Sequence, residues 1–357
     1  MSKILYVASN MTHINNFHLE YIASLRSLGH TVSVMARGDG ADYDIPFEKK
    51  LFSSKNTECR RKIKRIISEG CFDAIILNTT LAAFHVRFAL PRKNRPRVIN
   101  IVHGYLFSEN TGFIKRSLLL FCEKLVASKT DALILMNAED EVIAKKHRLC
   151  RDGISMIDGL GVSVREVITP PETIKASYGE GKYAMLFVGE LSDRKNQEFL
   201  IRALPNIKEH IPNAVLWLVG DGAERAKLNS VARECGVEES VVLFGKRSDA
   251  CDFMRAADLY VSAARIEGLP FNIVEALGCG RYVVASCIKG HRDVINSTRV
   301  GLLYSEGAED TFVKAVLLSY KERRDGNADS YARYEFYEKT RVFPLVLQTI
   351  VDNLKGL

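Results

Sequence analysis

The stretch Ala184-Met185-Leu186-Phe187-Val188-Gly189-Glu190-Leu191-Ser192-Asp193-Arg194-Lys195-Asn196 begins as a continuous apolar run. It breaks at a glycine, turns through a short polar loop, and leads into the amphipathic segment 197–210. An uninterrupted hydrophobic run suits a strand buried on both faces, and helical periodicity directly after it suits a crossover of a parallel sheet. The same alternation extends outward in both directions. Strands are predicted at 4–8, 31–36, 74–77, 98–102 and 132–136, and again at 184–188, 214–219, 241–244, 259–262 and 282–285. Amphipathic helical patterns lie between them at 17–28, 59–69 and 224–235. Repeated strand–helix alternation in each half predicts an α/β protein of two Rossmann-like, doubly wound parallel-sheet domains.

Length agrees with two domains: 357 residues exceed the ~100–200 of one. With 47% hydrophobic and 26% charged residues, disordered, collagenous and coiled-coil chains are excluded. Glycines and prolines gather at 159, 161, 170, 171, 179 and 181. They set the expected division into 1–165, 166–335 and a C-terminal helix, 336–357, packing back toward the first domain. Within the tail, Phe343, Leu345, Val346, Ile350 and Leu354 mark its apolar face. Charge divides unevenly, with 25 Lys+Arg against 16 Asp+Glu in 1–165 (+9) and 25 against 27 in 166–357 (−2). Such asymmetry suggests different partners for the two halves. None of the eight cysteines forms a CxxC pair, and the N-terminus has no signal-peptide h-region, so a reduced, cytoplasmic protein is expected. No run reaches the ~18 apolar residues of a spanning helix.

Three segments of the second half carry chemistry. Arg194-Lys195 lies between a strand end and a helix start, where side-chain cations, backbone N–H groups and the helix dipole together favour an anion. The next strand ends in Gly220-Asp221-Gly222, a sequence that permits a tight turn and close backbone approach to a ligand. Third comes Glu267-Gly268-Leu269-Pro270-Phe271-Asn272-Ile273-Val274-Glu275. Pro270 suits a helix start, leaving Glu267 in the loop and Glu275 inside the helix. The free N–H groups of that start could bind a phosphate or sugar hydroxyls, and a carboxylate accepts bidentate bonds from vicinal hydroxyls. Each element alone is also compatible with ordinary turns and surface charge. No GxGxxG, GxxxxGK[ST] or GxSxG is present, which argues against dinucleotide, P-loop and serine-hydrolase chemistry.

Together, in this order, the three segments resemble the retaining glycosyltransferases of family four, within the branch that builds bacterial capsules and exopolysaccharides. Ile14-Asn15-Asn16-Phe17-His18, His103-Gly104-Tyr105-Leu106-Phe107, the run 265–277 and Gly290-His291-Arg292-Asp293-Val294-Ile295 add to it. The resemblance implies the GT-B fold, with two Rossmann-like domains facing across a cleft. It implies Lys195, assisted by Arg194, on the donor diphosphate; Glu275 on the ribose; and Arg247 near the base, with Gly220 lining the donor site. Glu267 and the N–H groups of Gly268, Leu269, Pro270–Asn272 (Phe271 among them; proline contributes none) would orient the sugar. His103, Lys195 and Glu267 would be the catalytic residues, and Asn16, Phe17 and His18 would lie on the acceptor side. Two departures stand out: Glu190 occupies a position that is often arginine in the family, and Ser9–Asn16 contains no glycine.

The implied reaction moves a sugar from a nucleotide-sugar, expected to be a UDP-sugar, to a polyprenyl-diphosphate-linked saccharide. A nucleotide-sugar epimerase of the same architecture and a non-catalytic subunit are the competing readings. Neither a cofactor nor a metal is expected: two cations already serve the diphosphate, Asp42-Tyr43-Asp44 does not end an apolar strand, and the histidines show no HxxxH or HExxH spacing. Basic clusters at 60–65, 92–97 and 115–116, the last opening the leucine-rich stretch 113–127, suit either an anionic membrane surface or a helix packed on its own sheet with a solvated charged edge. Nucleic acid is disfavoured, since aromatic residues are not interleaved with these charges. The expected location is therefore cytoplasmic and peripheral, on the inner face of the plasma membrane.

Overall fold

A computed structural model describes residues 1–48, 53–322 and 328–355. The chain forms two compact units, 1–160 with 342–357, and 161–341. In the first unit seven strands make one parallel sheet: β1 (Lys3–Val7), β2 (Thr31–Ala36), β3 (Tyr43–Asp44), β4 (Ala74–Leu77), β5 (Arg97–Val102), β6 (Ala132–Leu135) and β7 (Gly153–Met156). Their order is β3-β2-β1-β4-β5-β6-β7. In the second unit β8 (Tyr183–Val188), β9 (Ala214–Val219), β10 (Val241–Gly245), β11 (Leu259–Ser262), β12 (Val283–Ser286) and β13 (Gly301–Tyr304) order as β10-β9-β8-β11-β12-β13. Both are the doubly wound pattern expected from the alternation. Strand order reverses beside β1 and beside β8, and ligands of such sheets bind outside the carboxyl ends of the strands at that switch point.

All ten predicted strands are present, displaced by at most one residue at an end. Three further strands, β3, β7 and β13, close sheet edges. The centre-strand residues of β4, β6, β9, β11 and β12 are all buried, whereas β7 is partly exposed along its length. Edge strands have only one neighbour, so they need no continuous apolar run. The Asp42-Tyr43-Asp44 segment is such an edge. Asp42 accepts a bond from Val34 N at 2.6 Å and Asp44 one from Gly38 N at 3.0 Å, which gives both carboxylates structural partners.

The C-terminal segment is two helices, Ala328–Glu335 and Lys339–Leu354, separated where Val162 pairs with Glu338. Val342, Val346, Ile350 and Leu354 supply the buried face of the second, a strict helical spacing. Leu345, assigned to that face from sequence, is exposed instead; Val342 takes the place it was given. In the first unit Arg87 of helix Thr80–Ala89 forms a fully buried ion pair with Glu123 of helix Phe113–Ala127, at 3.0 and 3.2 Å. Arg87 also donates to Thr130 Oγ1 and Ala83 O, so its donors are matched to acceptors. Among the described residues, all eight cysteines are free thiols, and no helix is long and apolar enough to cross a membrane.

Candidate functional site

In the second unit the chemistry gathers at the switch point between β8 and β11. The loop after β8 and the turn after β9 lie backbone against backbone. Gly189 N donates to Val219 O at 2.9 Å and Leu191 N to Asp221 O at 3.1 Å. Gly220 has φ +142°, and a Cβ there would stand 1.8 Å from Gly189 O; one at Gly222 would stand 2.2 Å from Leu191 O. Glycine is therefore required in this turn by space as well as by backbone conformation. The first of the two loops then folds back, with Lys195 N and Asn196 N both on Ser192 O, and Asn196 in the left-handed region opens helix Gln197–Lys208.

That geometry presents Arg194 and Lys195 to the loop after β11. Lys195 Nζ lies 2.5 Å from Glu267 Oε1, and Arg194 Nη1 lies 3.0 Å from Glu267 Oε2. Arg265 braces the arrangement: its N–H donates to Arg194 O, and its guanidinium bonds Asp193 and Asn196. Lys195 and Glu267 are largely buried, while the Arg194 side chain is half exposed. Burial alone would raise the Glu267 carboxyl, but the Lys195 and Arg194 charges and the Lys195 bond outweigh it and hold the pKa below the ordinary value. Two cations share one carboxylate, so the cluster retains one positive charge for an anion.

Helix Phe271–Gly278 starts at Pro270, with Ile273 N donating to Pro270 O at 3.0 Å in its first turn. Asn272 ties this start to β8 by donating to Val188 O at 2.9 Å. The carboxylate of Glu275, one turn on, makes no hydrogen bond or ion pair among the described residues, while its backbone O accepts from Cys279 N at 2.9 Å. Burial, and then Cys251, push its carboxyl up to about 7 against the opposing pull of Arg165. Arg247 is held by a bidentate pair with Asp249 at 2.7 and 2.8 Å, its guanidinium 4.9 Å from the Phe253 ring centre. The pair draws Asp249 down to about 2.

His291, within the Gly290–Ile295 motif, also belongs to this site, close enough to Glu267 for their charges to interact. It is fully buried, its Nδ1 lies 2.8 Å from Ser286 O, and burial first holds it neutral, at about 4, although Glu267 pulls the other way. Gly290 (φ +77°) lets that loop press on Gly268, whose O would be 2.6 Å from a Cβ there. The signal available in sequence was this Gly-His pair directly after a predicted strand.

In the first unit His103 follows β5 and is partly exposed; it packs against His13 and His18, which follow β1. Asn16 and Phe17 are exposed, but His18 is fully buried behind them. His18 is therefore not a surface contact for an acceptor, because Tyr6, His13 and His103 surround it.

Residues 172–337 match the family described as glycosyl transferases group 1. This part of the chain is similar to the group 1 glycosyltransferases. Over 328 residues the chain is 27% identical to the glycosyltransferase EpsD of Bacillus subtilis, covering 88% of this chain and 86% of that one. It is 24% identical to an Escherichia coli UDP-Gal:α-D-GlcNAc-diphosphoundecaprenol α-1,3-galactosyltransferase, over 71% of this chain and 67% of that one. In fold it resembles Anabaena Alr3699/HepE, solved in complex with UDP and glucose, with a TM-score of 0.78, 18% identity, and coverage of 99% and 100%. The matched segment includes β8 to β13 and contains Arg194, Lys195, Gly220, Arg247, Glu267 and Glu275.

Proposed function

We propose that this glycosyltransferase transfers a sugar, with retention of anomeric configuration, from a UDP-sugar to a polyprenyl-diphosphate-linked saccharide in capsule or exopolysaccharide assembly. The observation that carries the reading is the Arg194–Glu267–Lys195 cluster at the β8/β11 switch point, where one positive charge remains for a diphosphate. Lys195 bonds the leaving diphosphate as charge develops on it, an electrostatic contribution to the transition state. Glu267 positions that ammonium and, with the N–H groups of Gly268 to Asn272, orients the sugar. Glu275 in its ionised form accepts the ribose hydroxyls, Arg247 lies toward the base, and no divalent ion is needed for the diphosphate. The acceptor oxygen attacks on the face that the diphosphate leaves: the anomeric C–O bond to phosphate breaks, the new C–O bond forms, and a phosphate oxygen takes the acceptor proton. The relation to the E. coli diphosphoundecaprenol enzyme supports the acceptor class.

A location on the inner face of the cytoplasmic membrane is supported by helix Phe113–Ala127. Its Cys122 and Val126 are buried, yet Phe113, Ile114, Leu118, Phe121 and Leu125 are exposed beside Lys115 and Arg116. A basic, apolar stripe of this kind suits anionic lipid.

A donor screen read by released nucleotide, with a polyprenyl-diphosphate disaccharide as acceptor, tests the reading. Turnover with a UDP-sugar is expected, and Lys195→Ala should lower it by about 10²–10³-fold with the fold intact. Near-normal turnover in that variant would sink the site assignment. An isomerised donor formed without acceptor would establish an epimerase instead, and silence toward every donor would leave a non-catalytic subunit.

A further inference from the structure

Three histidines from two separate stretches of sequence converge above the sheet of the first unit. Asn10 caps helix Met11–Phe17 by accepting from His13 N at 2.8 Å, which sets His13 in the first turn. The helix ends at His18, and His103 follows β5, one strand beyond β4 from β1. His13 Nε2 and His18 Nε2 are 3.1 Å apart. The His103 ring stands nearly perpendicular to both, 4.8 Å from His13 and 5.3 Å from His18 between ring centres. One nitrogen from each histidine lies within 4.8 Å of the others. Among the described residues this is the one group of three His, Cys, Asp or Glu side chains so arranged.

We propose that His13, His18 and His103 bind one divalent transition-metal ion of the zinc class, leaving its fourth coordination position open. Imidazole nitrogens suit zinc, cobalt, nickel and copper, whereas magnesium and calcium take oxygen. In a tetrahedral zinc site the ligand nitrogens are about 3.3 Å apart, given Zn–N bonds of about 2.0–2.1 Å. The 3.1 Å pair already meets that spacing, and His103 reaches it by a small side-chain movement. His103 Nε2 is buried and has no hydrogen-bond partner, so a ligand would satisfy it at no cost to another bond. His18 Nδ1 is bonded by the buried Tyr6 hydroxyl at 2.9 Å, the outer contact that fixes the ring of a metal-bound histidine.

Without an ion, a single proton bridges the two Nε2 atoms. On binding it passes to Nδ1 of the same ring, so no charge has to be displaced. His18 forms the floor, while His13 and His103 are partly exposed and form the entrance. Linear spacing tests such as HxxxH miss this group, since its third member comes from a different crossover.

The test uses the full-length protein stripped with EDTA and titrated with Co²⁺ in the absence of any nucleotide-sugar. One Co²⁺ per chain is expected, with the intense visible bands of low-coordinate cobalt, and Zn²⁺ should displace it. His13→Gln, at a partly exposed position that keeps the fold, should abolish the bands, as should His103→Asn. Tyr6→Phe should weaken binding by roughly tenfold through loss of the outer contact. No bands in the wild-type protein, or bands retained in His13→Gln, would overturn the proposal. The readout needs neither donor nor turnover, so a failure here leaves the Lys195 test unaffected.

Discussion

The two sheets share a strand order yet differ at their carboxyl ends. In the second unit, glycines bring two loops into backbone contact, and the first of them meets the loop after β11 through charge, Arg194 and Lys195 against Glu267. In the first unit the segment Ser9–Asn16, mostly helix, has no glycine, and the rings of His13, His18 and His103 pack where the second unit has ions. The first unit hides its charge in the core instead, as the Arg87–Glu123 pair. The lesson is that topology sets where a ligand meets each sheet, while loop composition sets which kind.

The comparison is most directly broken at Gly220. A Cβ there stands 1.8 Å from Gly189 O on a left-handed backbone, and neither neighbour is a flexible side-chain tip. Gly220→Ala should therefore cost about 4 kcal/mol or more, or prevent the second unit from folding, as read by urea unfolding. Gly29→Ala in the first unit shares a positive φ but meets nothing within 4 Å, so it should cost only about 1 kcal/mol. Equal costs would show that close approach is not what distinguishes the second unit. Glu123→Gln should destabilise the first unit by about 3–5 kcal/mol, because Arg87 is then left buried without a counter-charge. Arg87→Met with Glu123→Leu should recover most of that loss, and a double variant as unstable as the single one would refute the electrostatic account.

Legibility from sequence follows the same divide. The centre strands were readable because they are buried on two faces, and each prints as an unbroken apolar run; β3, β7 and β13 do not, because an edge has one neighbour. Arg194, Lys195, Glu267 and Glu275 were readable because the motifs sit directly at strand ends. His291 was not singled out, since a buried histidine has no periodic signature and its place depends on how Gly290 packs on Gly268. The convergence of His13, His18 and His103 was hidden for a similar reason: β1 and β5 become near neighbours only through β4. Leu345 was misassigned because an apolar residue beside an amphipathic stripe looks like part of it until the helix phase is fixed by Val342 and Val346.

A finer distinction concerns Glu275, whose carboxyl is pushed up to about 7. With the folded value above the unfolded one, the native state binds more protons than the unfolded state between about 4.5 and 7. Its stabilising share is then complete below that window and is lost as pH rises through it. Glu275→Gln should remove this dependence and stabilise the second unit at pH 8 by roughly 2–3 kcal/mol, measured by unfolding at pH 5 and pH 8. Nucleotide-sugar affinity should move the other way in the wild-type protein, rising from pH 6 to pH 8 as the carboxylate forms, and staying flat and weak in the variant. A flat wild-type profile would remove Glu275 from the ribose site.

The smallest expected effect lies on the outer surface of the first unit. Ile114, Leu118, Phe121 and Leu125 recur at helical spacing on the exposed side of Phe113–Ala127, so that side is apolar where a solvated helix face would be polar. Lys115 and Arg116 each contribute about 1 kcal/mol at an anionic lipid surface. Lys115→Gln with Arg116→Gln should therefore reduce flotation with phosphatidylglycerol vesicles by roughly tenfold to thirtyfold in affinity, and the loss should shrink in high salt. Leu118→Ser with Phe121→Ser should reduce flotation at every salt concentration, because the apolar part of the contact is unscreened. Charge removal without effect, alongside a loss from the serine pair, would make the contact purely hydrophobic. It would also separate the basic excess of residues 1–165 from membrane binding.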